Sequence, residues 1–179
     1  MTHITLAVTG SISAYKAADI TSQLTKLGFE VKVLMTPSAR KFITPLTLQV
    51  LSKNQVGLDV MMEDDPQRIE HIDIGKETDL FLVAPASANT IAKLAMGLAD
   101  NMVTSTALAL PQTSKKLLAP AMNTKMLDHP ATQRNLEILK DFGYRIIQPR
   151  EATLACGDQG SGALATVDTI IQAVKENCL

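Results

Sequence analysis

The chain has 179 residues, no tryptophan and two cysteines, Cys156 and Cys178, which lie far apart and form no C-x-x-C pair. That spacing argues against a zinc site or a disulfide framework and fits a reducing compartment, so no metal is expected. A surplus of either charge is also missing. With 17 basic and 18 acidic residues and no basic block, the long-range field that gathers a polyanion is lacking, and nucleic acid is not expected as a partner. No apolar run reaches membrane-spanning length. Met1 leads straight into an alternating, strand-like segment, without a basic stretch, apolar helix and small-residue cleavage site. A cytoplasmic protein with no membrane partner is therefore expected. No repeat, low-complexity tract or linker is visible, and one domain over residues 1–179 accounts for the length.

Two nucleotide fingerprints are missing as well. The dinucleotide pattern G-x-G-x-x-G does not occur, and the second expected strand ends in Thr36-Pro37-Ser38, where nicotinamide enzymes usually carry an acidic ribose ligand. The triphosphate loop G-x-x-x-x-G-K-[ST] is also absent, which leaves ATP hydrolysis without support.

What is present is an alternation of short apolar runs and amphipathic stretches. Ile4–Val8, Val31–Met35, Asp79–Val83, Lys116–Ala119 and Tyr144–Ile147 read as strands. Ser13–Leu27, closed by Gly28, reads as a helix, as do Pro45–Ser52, Ala88–Met96, Asn101–Leu110, Pro130–Asp141 and Val167–Glu176. Strands that are continuous apolar runs indicate a parallel sheet covered on both faces. The expected fold is an α/β, single-domain, doubly wound sheet, a Rossmann-like or flavodoxin-like three-layer sandwich. In such folds ligands bind beyond the carboxyl ends of the strands.

The loops at those ends are rich in small and hydroxylated residues. Thr9-Gly10-Ser11-Ile12-Ser13 leads into the first helix, where free N–H groups and the positive end of the helix dipole suit a phosphate. Taken alone, a glycine after a first strand is as often only a turn residue. Thr36 and Ser38 end the next strand, and Ala84-Pro85-Ala86-Ser87-Ala88-Asn89-Thr90 opens a later helix with hydroxyl, amide and N–H donors. A monophosphate with a polyol chain suits these loops better than a larger nucleotide.

Several segments together resemble one family closely, the homo-oligomeric flavin-containing cysteine decarboxylases. They are Thr9-Gly10-Ser11-Ile12-Ser13-Ala14-Tyr15-Lys16, His71-Ile72-Asp73, Ala84 to Thr90, Pro120-Ala121-Met122-Asn123-Thr124-Lys125-Met126 and Ala155-Cys156-Gly157-Asp158. One departure is visible: Leu127 stands where the family usually has tryptophan, so packing beside the substrate is expected to differ. The resemblance implies FMN, held by Gly10, Ser11, Ile12, Ser13, Thr36, Ser38, Ser87, Ala88, Asn89, Thr90 and Ala121. It further implies a homo-oligomer, a trimer or an assembly of trimers, in which a neighbouring subunit supplies the histidine. The apolar stretch Leu94–Ala99 adds modest support for close contacts between copies.

The implied chemistry is decarboxylation of a cysteine-derived acid. Oxidation of its thiol-bearing carbon by the flavin gives a thioaldehyde, which accepts the electrons released as CO2 leaves; the resulting enethiolate is then reduced. His71 would take the thiol proton, and Asn123 would hold the carboxylate and amide with Met122, Gly157 and Asp158. Cys156, with an unperturbed thiol pKa of roughly 8.5, would donate the last proton. Gly157, Gly160 and Gly162 read as a flexible loop able to fold over the substrate. His3 and His129 carry no motif and read as structural or solvent-facing. Within the family the segments look most like the members that turn 4′-phospho-N-pantothenoylcysteine into 4′-phosphopantetheine for coenzyme A. A peptidyl-cysteine decarboxylase and a non-catalytic flavin-binding regulatory subunit stand as alternatives.

Overall fold

Six residues, His3–Val8, form the first strand, β1, and every one after His3 is buried. The reason is its place in the middle of the sheet: β1 pairs in parallel with β2 (Glu30–Met35) on one side and β3 (Leu80–Ala86) on the other. The computed structural model describes residues 2–62, 66–155, 157 and 159–178. The connecting helices, in chain order, are α1 (Ala17–Lys26), α2 (Pro45–Ser52), α3 (Glu70–Glu77), α4 (Ala88–Met96) and α5 (Met102–Leu108). The strand β4 (Lys115–Pro120), the helices α6 (Thr124–Asp128) and α7 (Pro130–Asp141), and the strand β5 (Tyr144–Ile146) follow. A hairpin of β6 (Arg150–Thr153) and β7 (Gln159–Ala163) precedes the last helix, α8 (Val167–Cys178).

The sheet order is β2-β1-β3-β4-β5, all parallel. This is the doubly wound flavodoxin-like order, in which the chain reverses direction across the sheet between β1 and β3. Two apolar clusters flank it. One joins alternate β1 residues Ile4, Leu6 and Val8 to α1, α2 and α8; the other joins Ala7, Phe81 and Val83 to α4, α5 and α7. Burial on both faces explains why β3 reads as an unbroken apolar run, Leu80 to Ala86. Outside β2, Gly57 adds a single parallel bridge to Leu34, with N–H to Val33 and C=O to Met35 bonds that partly cover that edge.

The expected elements recur with informative differences. The helix expected from Ser13 begins as a 3-10 turn over Ile12–Lys16, because the Ser11 hydroxyl accepts the Ser13 N–H at 3.2 Å and tightens the first turn. Gly28, at φ +88°, ends α1 as expected, and the Phe29 N–H reaches back to the Leu24 carbonyl. Pro130 opens α7. Outside the expected set lie the short 3-10 turn Ala39–Lys41, α3, α6 and the β6–β7 hairpin. No helix among the described residues is long and apolar enough to cross a membrane.

Candidate active site

Because the five strands are parallel, the loops after β1, β2, β3 and β4 all emerge at one edge of the sheet. They form a continuous arc there. Thr9, fully buried after β1, donates its hydroxyl to the Pro85 carbonyl at 2.7 Å and accepts the Ser87 N–H at 2.8 Å. The loops after β1 and β3 are thereby tied together at the point where the chain reverses. Sequence reasoning gave Thr9 no role of its own, although a hydroxyl residue directly after the apolar run Leu6-Ala7-Val8 was a usable signal.

Gly10 joins the second pair of loops. A Cβ built on it would come within 2.5 Å of the Ser38 Cβ, so glycine is what lets the loop after β1 lie against the loop after β2. Thr36 is buried, and its hydroxyl accepts the Ala39 N–H at 3.3 Å, whereas Ser38 is exposed. On the other side, the Ala121 N–H bonds the Ala86 carbonyl at 3.0 Å and brings the loop after β4 alongside that after β3.

The donor groups in this arc divide into two sets. Ser11 caps the Ser13 N–H, Ser87 caps the Thr90 N–H, and Thr90 itself is buried. Those hydroxyls and amides serve the protein's own turns. At the first turn of α4, the Ala88 and Asn89 N–H groups precede any carbonyl four residues back within the helix. Ile12, at the start of its 3-10 turn, is in the same position. Gly10, Ser11 and Ile12 with Ala88 and Asn89 thus offer backbone donors at two adjoining helix starts, which fits one phosphate group. Of the expected cofactor residues, all but Ala121 lie on the three loops after β1, β2 and β3, and Ala121 adjoins them.

Asn123 follows Ala121 and caps α6, its Oδ1 accepting the Lys125 N–H at 2.8 Å. The hairpin closes on this segment. The Met122 N–H donates to the Gly162 carbonyl at 2.9 Å, and the Thr124 hydroxyl donates to the Ser161 carbonyl at 2.6 Å. A methyl on Gly162 would overlap the Met122 carbonyl, and one on Gly160 would come within 2.5 Å of Thr124 Oγ1. The expectation that these glycines serve flexibility is therefore corrected: Gly160 and Gly162 sit in β7, where the absence of a side chain lets the strand press against Met122–Thr124. Gly157, at φ +88°, turns the chain between β6 and β7, its N–H bonding the Leu154 carbonyl at 2.8 Å. Cys156 and Asp158 lie outside the described residues.

A second expectation changes at Leu127. It is buried in the cluster shared with Leu136 and Leu139, against which Met122 also packs, and its N–H bonds the Asn123 carbonyl at 3.0 Å, so the side chain fills the core directly behind the Asn123 segment. His71 stands apart from the arc. It lies in the first turn of α3, whose Glu70 pairs with Lys32 of β2 at 3.1 Å, and Lys32 is level with Thr5 in the middle of β1. Its Nδ1 is buried with no hydrogen-bond partner among the described residues. Within one chain, the structure thus brings the donor loops after β1, β2 and β3 together with Asn123 and leaves His71 elsewhere. His129 caps α7, as a structural histidine would. Burial and the neighbouring Asp79 carboxylate push the Cys178 thiol up, which disfavours the thiolate.

A family model described as flavoprotein matches residues 1–179. The chain belongs to the flavoprotein family. Over 173 residues the flavoprotein is 65% identical to a probable phosphopantothenoylcysteine decarboxylase of Streptococcus mutans, covering 97% of each chain. It is 46% identical over 175 residues to the coenzyme A biosynthesis bifunctional protein CoaBC of Bacillus subtilis, covering 98% of this chain and 43% of that longer protein. Among solved structures it superposes on a cysteine-to-serine mutant of PPC decarboxylase complexed with pantothenoylaminoethenethiol, with a TM-score of 0.90, 32% identity and coverage of 98% and 97%. The FMN-dependent cysteine decarboxylase SpaF follows with a TM-score of 0.84, 28% identity and coverage of 100% and 98%. The flavoprotein is accordingly a decarboxylase by kinship and fold.

Proposed function

We propose that this chain catalyses the FMN-dependent decarboxylation of 4′-phospho-N-pantothenoylcysteine to 4′-phosphopantetheine, a step of coenzyme A biosynthesis, as a homo-oligomer. The observation that carries the reading is the arc itself. Two sets of backbone donors at the β1/β3 reversal adjoin the Asn123 segment, and the hairpin whose two strands flank Cys156 in sequence is bonded to that segment. A flavin mononucleotide fits the donors, since they suit one phosphate and no second glycine-rich phosphate loop is present.

FMN, when bound, supplies a two-electron acceptor that makes the thiol-bearing carbon an electron sink for the departing carboxylate. The chain's residues do the rest. Gly10, Ser11, Ile12, Ala88 and Asn89 hold the cofactor phosphate through their N–H groups. Asn123 presents amide donors to the substrate carboxylate without adding a positive charge that would stabilise it against loss. His71 takes the thiol proton, and because it stands apart from the arc in its own chain, a neighbouring copy supplies it. Exposed apolar side chains at Met96 and Leu98 support such contacts. Cys156, a thiol in its resting state, returns a proton at the end.

The test is to purify the protein, record its visible spectrum, and assay CO2 release and 4′-phosphopantetheine formation from the proposed substrate. A yellow protein that does both is expected. A colourless protein that stays inert with added FMN would overturn the reading. Cys156→Ser should release CO2 and accumulate an oxidised, decarboxylated product by mass spectrometry; normal phosphopantetheine formation would remove Cys156 from its role.

A further inference from the structure

We infer that Thr9 is a positioning residue that sets the spacing of the two donor sets holding the cofactor phosphate. The inference rests on the flavin reading above and adds to it a residue that touches neither cofactor nor substrate.

A hydroxyl has one proton to give and lone pairs to accept. At Thr9 both uses are fixed by chemistry: the Pro85 carbonyl can only accept, at 2.7 Å, and the Ser87 N–H can only donate, at 2.8 Å. Thr9 immediately precedes Gly10 and is fully buried. Ser87 is the residue that caps α4, its carbonyl accepting the Ile91 N–H at 2.9 Å and its hydroxyl accepting the Thr90 N–H at 3.3 Å. One side chain therefore ties the residue before the first donor set to the cap that fixes the second. Because the Ser87 N–H is engaged by Thr9, the donors left to a ligand at that helix start are those of Ala88 and Asn89. Without the hydroxyl, two backbone groups at the seam lose their partners, and the loops have no polar contact there to fix their separation. A phosphate that must meet donors from both loops would feel that change, whereas the rest of a flavin would not.

The experiment compares FMN with riboflavin, which lacks the phosphate, by fluorescence quenching on wild type, Thr9→Val and Thr9→Ser. Thr9→Val keeps the shape and removes the hydroxyl; Thr9→Ser keeps the hydroxyl. The expected result is that Thr9→Val lowers the preference for FMN over riboflavin by about tenfold or more, a change of the size of one lost polar contact. Thr9→Ser should stay within about threefold of wild type. A Thr9→Val protein with unchanged preference overturns the inference, as does Thr9→Ser matching Thr9→Val. A loss of affinity for both flavins in parallel would make Thr9 a folding residue only and also overturn it. If Thr9→Val does not fold, Thr9→Cys, whose thiol fits and bonds weakly, is expected to fall between wild type and the valine prediction. Amide exchange at Ser87 reads the seam without any flavin: faster exchange in the valine or cysteine variant is expected, and unchanged exchange overturns the inference. A wild type that binds neither flavin, with Ser87 exchange still dependent on the Thr9 hydroxyl, would instead indict the flavin reading.

Discussion

Gly162 and Met122 meet backbone to backbone: the Gly162 carbonyl accepts the Met122 N–H at 2.9 Å, and Gly162 adopts φ +127° to do so. The hairpin is thus registered against the segment that carries Asn123. Gly162→Ala would add both a steric overlap and a strained backbone, each of order 1–3 kcal/mol. It is expected to loosen the hairpin and reduce turnover by about a hundredfold, the scale of an ångström of misplacement. FMN affinity should stay within about twofold, because the donor loops are elsewhere. Titration of flavin alongside steady-state kinetics separates the two.

His71 lies away from the donor arc of its own chain, which makes complementation between copies a direct test. His71→Asn and Gly10→Ala should each be inactive, the second because its new methyl meets Ser38. Mixed after co-expression, they should recover activity at about a quarter of the sites, since each site needs one intact contribution from each of two subunits. No recovery in a mixed oligomer would place the histidine and the cradle of one chain in the same site.

Leu127 is a core residue by its burial. Leu127→Ala should cost about 2–4 kcal/mol in urea unfolding, with the substrate KM unchanged in the folded fraction. A raised KM without loss of stability would return Leu127 to the substrate.

How far the fold could be read from the residues depended on which faces each element buries. β1, β3 and β4 are covered on both sides, so their apolar runs announced themselves, and the parallel order followed from the alternation with helices. The hairpin did not announce itself. Arg150–Thr153 and Gln159–Ala163 carry almost no β-branched or aromatic residues, and their pairing serves a contact with Met122–Thr124 that no local pattern encodes. Helix α3 was hidden by Gly75, a poor helix residue by propensity. It is tolerated because any Cβ there would lie 2.9 Å from the Ala109 carbonyl of the neighbouring helix end. At the site, the loops at the strand ends were legible because hydroxyls and glycine there have a local physical purpose. Thr9 and Thr124 were not singled out, since their partners lie 76 and 37 residues away.

Asp100 offers a check by pH. A hydrogen bond from Lys93 holds its carboxyl below the usual range. The folded form therefore gains stability above the unfolded carboxyl's titration, and the gain disappears as pH falls through the depressed folded value. Both groups are at least partly exposed, so the contribution is under about 1 kcal/mol. Asp100→Asn should be slightly less stable than wild type at pH 7 and indistinguishable from it near about pH 2. Urea midpoints at the two pH values, repeated in high salt, measure this.

The two margins of the sheet set a limit on how copies of this chain can associate. Beyond β2 the outer backbone is partly occupied by the Gly57 bridge, and β5 is three residues long, with Arg145 drawn aside to Glu176 of α8. Among the described residues, neither margin offers a long, bare strand for another chain to extend. Association of copies, as proposed above, would then use side chains on helices and loops, the class of surface that single substitutions can tune without risking runaway strand-by-strand growth.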